Sequence, residues 1–117
     1  MSEIVMRQVD GIAVLDITRS FMEMSRSSEE RGKLIQIVTQ SLDSGHKKIL
    51  LNLSQAVSCS NTAIGEMNRA FNSLHARGGH LKLSNVPPRI RKVLQLTHLL
   101  QIYDVYDDEA AAIQSFE

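Results

Sequence analysis

Tryptophan is absent, and three phenylalanines and two tyrosines are the only aromatic side chains. Stacking platforms for bases or sugar rings are therefore poorly supplied. Cysteine occurs once, at Cys59, which excludes an internal disulfide and suits a reducing compartment. Neither sign of charge is in excess. Lys and Arg number 13 against 13 Asp and Glu, so the composition gives no basis for bulk attraction to nucleic acid. No apolar run approaches the ~20 residues of a membrane span, and membrane insertion is not expected. Met1-Ser2-Glu3 lacks the basic-then-apolar pattern of a secretion signal, and the expected location is the cytoplasm. Gly-rich phosphate loops are missing too: neither G-x-G-x-x-G nor G-x-x-x-x-G-K occurs.

What is present reads as an α/β chain. Its 117 residues suit one domain, 1–117, able to bury roughly two-thirds of its unfolded surface. Apolar runs at Ile4–Val9 and Ile12–Ile17 flank Asp10-Gly11, a strong hairpin signal. Phe21 to Arg26 has no period and reads as a loop. Ser27-Ser28-Glu29-Glu30 then fits a capping box, with Ser27 as N-cap, ahead of a stripe at Leu34, Val38 and Leu42 that Gly45 stops. Ile49 to Leu53 is apolar on both faces, as in a central strand. A second helix is predicted from Asn61, with Ile64, Met67, Phe71 and Leu74 inward and Gly78-Gly79 at its end. A strand with Leu81 and Leu83 follows, then a helix opened by Pro87-Pro88 with Ile90, Val93 and Leu94 inward. A last strand is expected at Ile102–Val105. Asp107-Asp108-Glu109 introduces a final helix with Ala110, Ile113 and Phe116 inward. The expected fold is a mixed sheet of four or five strands covered by about four helices, with mostly parallel pairing after the hairpin.

Chemistry is thinly signalled. His46, His75, His80 and His98 are scattered, without helical metal-ligand spacing. Neither metal nor cofactor is expected. Cys59 precedes a helix start, where a thiol pKa can fall, but a nucleophile needs a base and an orienting group. It reads instead as a small buried hydrophobe at a strand-to-helix turn. The acidic residues have local explanations in turns and helix ends. The chain is therefore read as a protein-binding module and not as an enzyme.

The stretch Gly45-His46-Lys47-Lys48-Ile49-Leu50-Leu51-Asn52-Leu53-Ser54, followed by Ser58-Cys59-Ser60-Asn61-Thr62-Ala63-Ile64-Gly65-Glu66-Met67, resembles the STAS domain of bacterial anti-sigma factor antagonists. Gly78 to Leu83, Leu94 to Thr97 and Ile102 to Glu109 extend the resemblance over essentially the whole chain. In that family a partner kinase, itself the anti-sigma factor, phosphorylates a serine in an Asp-Ser-Ser/Ala-Gly loop. The family's Asp falls on Ser60, its phosphorylated Ser on Asn61, its next residue on Thr62 and its Gly on Ala63. Ile64 and Gly65 are retained. Arg19 and Met22 stand where Gly and Asp or Thr are usual. Asn61 has no hydroxyl to esterify and is expected to cap the helix instead; Ser60 or Thr62 are the candidate substitutes. The resemblance implies a protein partner, a histidine-kinase-like anti-sigma factor or a related ATPase. It places the partner surface at Ser58, Ser60, Asn61, Thr62, Ala63, Ile64 and Met67. A role as accessory subunit of a stressosome-like scaffold or of a lipid-transport ATPase is the alternative.

Overall fold

In the computed structural model, which describes residues 4–117, strands β1 (Val5–Val9) and β2 (Ile12–Asp16) form the predicted hairpin, with Val9 opposite Ile12. Asp10 and Gly11 both take positive φ, 52° and 79°, as a tight two-residue connection favours. Strands β3 (Lys48–Asn52), β4 (His80–Ser84) and β5 (Asp104–Tyr106) add in parallel, giving the order β1-β2-β3-β4-β5. β3 lies between β2 and β4, which explains its apolar character on both faces. Ile49 and Leu51 join the larger core, and Leu50 the smaller.

The helices are α1 (Arg19–Met22), α2 (Lys33–Asp43), α3 (Asn61–Ala76), α4 (Pro88–Leu96) and α5 (Glu109–Ser115), with a 3₁₀ turn at Leu99–Gln101. The first four cover one face of the sheet. Phe21, Met22, Leu34, Val38, Met67 and Leu94 are buried there against Leu15, Ile49 and Leu83. On the other face α5 buries Ala112, Ile113 and Phe116 against Ile12, Val14 and Leu50. Lys82 reaches across this layer, its Nζ 4.6 Å from the Phe116 ring centroid and bonded to the Ser115 carbonyl at the helix end.

α3 stops as its Gly78-Gly79 pair predicts. Gly78 is left-handed at φ 77°, and the Gly79 N–H donates to the Leu74 carbonyl at 2.7 Å. A β-carbon at Gly79 would lie 2.6 Å from Leu74 Cδ2 and 2.9 Å from the Lys47 carbonyl oxygen, so no larger residue fits without movement.

Several expectations are corrected. The region 21–26 is not all loop. Thr18 accepts from the Phe21 N–H at 3.1 Å and caps the single turn α1, burying Phe21 and Met22. One turn is too short to show a period. The Ser27 capping box does not form. α2 begins at Lys33 behind Gly32, whose N–H donates to the buried carboxylate of Glu66 on α3 at 2.6 Å. A tertiary cap has replaced the local one. Phe71 is half-buried rather than inside, packed edge-on to Tyr103, while Ala63 and Ala70 supply the inner stripe. The last strand lies two residues later than expected, because His98 at φ 63° leads into the 3₁₀ turn and leaves Ile102 exposed. Ala110 is exposed, and Ala112 takes its inward place.

On the α5 face Arg7 clamps two carboxylates. It donates to Asp16 at 2.7 and 2.9 Å and to Glu109 at 2.5 and 3.3 Å, and Asn52 donates to Glu109 at 3.3 Å. The Arg7 bonds hold the Glu109 carboxyl below the usual glutamate range. A depressed folded-state pKa contributes stability that is complete at neutral pH. It is withdrawn as pH falls from about 4.3, the ordinary glutamate value, through the lower folded value. Urea midpoints measured from pH 7 downward should therefore fall in acid. Glu109→Gln should lower the neutral midpoint and flatten that fall.

Candidate functional site

The segment between β3 and α3 lies at the carboxyl end of a central parallel strand, where open α/β sheets place their binding residues. It turns at once: Asn52 Oδ1 accepts from the Ser54 N–H at 2.9 Å, and the Ala56 N–H donates to the Leu53 carbonyl at 3.0 Å. The segment is then pinned to the end of α1. The Ser60 N–H donates to the Met22 carbonyl at 2.8 Å, Ser60 Oγ to the Met24 carbonyl at 2.7 Å, and Ser58 Oγ to Glu23 Oε1 at 2.9 Å. Arg19, then Ser58, hold the Glu23 carboxyl below its ordinary range. Met22, standing where the resembled family has a small polar residue, is fully buried beneath this junction.

The N-cap of α3 is Ser60, one residue before the position expected. Its Oγ accepts from the Ala63 N–H at 3.1 Å while donating to Met24. Asn61 is therefore the first helical residue, with its side chain exposed. The shift has a plain cause: the backbone of Ser60 is already held extended by its bonds to α1, so Ser60 is the residue placed to cap. Of the other predicted site residues, Ser58, Thr62 and Ile64 are half-buried. Ala63 and Met67 are buried at 0% and 1% exposure and face the core, so they cannot touch a partner. The structure thus brings Ser58, Asn61, Thr62 and Ile64 to one accessible end of α3.

Cys59 is half-buried among core residues, and its thiol donates to the Ser60 carbonyl at 3.7 Å. Burial pushes its pKa up to about 11, the reverse of an activated nucleophile. Beyond it, Tyr103 is buried, bonded through its hydroxyl to Asn68 Oδ1, and its pKa is raised by burial. No group of three His, Cys, Asp or Glu placed to hold a metal ion exists among the described residues. No helix among them is long and apolar enough to cross a membrane.

Sequence reasoning missed Arg26, Arg31, Arg69 and Glu66. These side chains lie beside Asn61, Thr62 and Gly65 along a shallow groove of about 450 Å³. Arg26 and Arg31 fall in the turns before α2, far from α3 in sequence. The spacing of Glu66 and Arg69 at i, i+3 was the legible signal, and they do form an ion pair at 3.2 Å.

Comparison with known proteins gives this architecture a family. The STAS domain model matches residues 3–112. The TM1081 homolog of Thermotoga neapolitana, provisionally named an anti-sigma factor antagonist, is 30% identical over 76 residues, 65% of this chain and 67% of that protein. The matched stretch thus spans about two-thirds of that relative's length. An anti-sigma-factor antagonist (STAS) domain protein from Planctomyces limnophilus superposes with a TM-score of 0.81 at 17% identity, over 100% of this chain and 99% of that one. The phosphorylated form of the Bacillus cell fate determinant SpoIIAA superposes at 0.69 and 16% identity, over 98% and 100% of the two chains. With a hairpin-led mixed sheet, four helices on one face and a family match across nearly its full length, this chain belongs to the STAS domain family.

Proposed function

We propose that this STAS domain is a protein-binding regulatory module of the anti-sigma factor antagonist kind, docking its partner on the start of α3 without phosphorylation at position 61. The observation that carries this reading is Asn61 itself, an exposed side chain at the first position of a helix whose preceding segment is pinned from below by Ser58 and Ser60. A rigid, exposed helix start is a preformed contact surface, and little ordering entropy is lost when a partner settles on it. An amide side chain cannot be esterified, so the surface stays in one charge state. Ser60 is a poor substitute phosphoacceptor because its oxygen is engaged on both sides, by the Ala63 N–H and the Met24 carbonyl. Thr62 carries the remaining hydroxyl at this helix end.

The partner class this reading favours is a histidine-kinase-like anti-sigma factor or a related ATPase. Asn61→Asp supplies the test. A carboxylate at the first helical position interacts favourably with the helix dipole, so the melting temperature should hold or rise slightly. The same charge placed in a desolvated contact should weaken partner binding about tenfold, or 1.4 kcal/mol. Titration of the purified kinase-like partner against both proteins, alongside thermal melts, measures the two effects. Equal affinities at equal stability would leave this end of α3 without a docking role.

A further inference from the structure

Arg26, Arg31 and Arg69 converge on the groove beside Asn61, Thr62 and Gly65. The acidic side chain that lines it among the described residues is Glu66, and that carboxylate is already committed. It is 3% exposed, accepts from the Gly32 N–H at 2.6 Å, and faces Arg69 at 3.2 Å and Arg31 at 3.9 Å. Three guanidinium groups against one buried carboxylate leave the groove positive, although the whole chain is neutral.

Most of the hydrogen-bonding capacity of these arginines is unused. The Arg26 guanidinium has no hydrogen bond or ion pair among the described residues. Arg31 donates through one Nη1 to the Arg26 carbonyl at 2.9 Å, and Arg69 through one Nη1 to Glu66. An arginine carries five N–H donors in a planar fork suited to carboxylate oxygens. The backbone adds to this. The Ala63 and Ile64 N–H groups are taken by Ser60, but those of Asn61 and Thr62 find no acceptor among the described residues. Gly65 forms the floor. It is exposed, and nothing lies within 4 Å of where its β-carbon would be. A glycine inside a helix costs about 1 kcal/mol relative to alanine, and no packing contact here requires one. Its absence of a side chain leaves room for a second main chain to lie close.

From this charge, donor supply and shape we infer that the groove receives an extended, carboxylate-rich segment of the partner protein. The inference rests on the docking reading above and adds the chemistry of what docks. The shallow, open form suits a peptide rather than an enclosed small molecule.

A fluorescein-labelled hexaglutamate peptide, titrated by anisotropy into the full chain at about 20 mM salt, where screening is weak, tests it. Wild type should bind. Arg26→Glu should weaken binding about tenfold, a 1.4 kcal/mol change. The Arg26 side chain supports nothing else in the fold, so its melting temperature should stay at the wild-type value. Lys48→Glu makes the same change in net charge at the far end of β3 and on its opposite face, and should weaken binding by no more than about threefold, because Coulomb energy falls with distance. Absence of binding, or equal losses in the two variants, overturns the inference. So does displacement of the peptide by inorganic phosphate at about 1 mM, which would assign the groove to small anions held by charge alone.

The two readings fail separately. If hexaglutamate does not bind but Asn61→Asp still weakens the kinase-like partner, docking stands and the acidic segment falls. If Arg26→Glu releases hexaglutamate while neither variant affects the partner, the docking reading falls and takes the partner-borne segment with it.

Discussion

Phe21→Ala should lower the unfolding free energy by about 3–5 kcal/mol, the range for truncating a fully enclosed aromatic ring. Phe21 has no exposed surface and belongs to a helix of four residues. One turn has almost no stability of its own, because a helix nucleus fixes several residues for a single hydrogen bond. α1 therefore exists because Phe21 and Met22 are anchored in the core, with Thr18 capping the turn. The consequence extends to the site. The carbonyls of Met22 and Met24 hold Ser60, and Glu23 holds Ser58. Loss of the anchor should loosen the segment that presents Asn61, so partner affinity should fall with stability. Urea unfolding should show a lower midpoint with an unchanged slope, as expected when packing is lost without a change in unfolded-state compactness. Phe71→Ala should cost clearly less, since that ring is half-buried. Equal losses for the two rings would mean that α1 is not held by Phe21.

Signals carried by consecutive residues were legible in the sequence. Asp10-Gly11 specified its hairpin, Gly78-Gly79 its helix end, and the unbroken apolar run at Ile49–Leu53 its central strand. Asp108 accepts from the Ala111 N–H at 2.8 Å, as the acidic run before α5 implied. What was illegible depended on partners distant in the chain. Ser27 and Glu30 have the spacing of a capping box, yet a carboxylate from α3 caps α2 instead. Asn61 is a good N-cap residue, but the bonds from the Ser60 N–H to Met22 and from its Oγ to Met24 move the cap by one. The arginine groove is assembled from turns near position 30 and a helix near position 65, which no local period connects. The resemblance to the STAS family pointed to the start of α3 but carried no information about Arg26, Arg31 or Arg69.

Glu66→Ala is expected to cost about 1.5–3 kcal/mol, the range for losing a buried hydrogen bond to a charged group. Its two arginine partners are about half exposed, at 58% and 49% for their side chains, so those ion pairs contribute little and the freed guanidiniums remain hydrated. The cost lies at the start of α2. Gly32 has no side chain to cap with, and the Glu66 carboxylate satisfies its N–H from outside the helix. Glu66→Gln keeps an oxygen acceptor at that place and should cost only about 1 kcal/mol, the value of a neutral hydrogen bond. Urea melts of the two variants separate cap from charge: if Gln is as damaging as Ala, the negative charge and not the acceptor holds α2 to α3. Hexaglutamate binding should move the other way. Either substitution removes the carboxylate that offsets the three arginines, so the peptide should bind more tightly to a less stable protein. A merely structural Glu66 would weaken binding along with the fold, and that result would separate the groove's charge from its function.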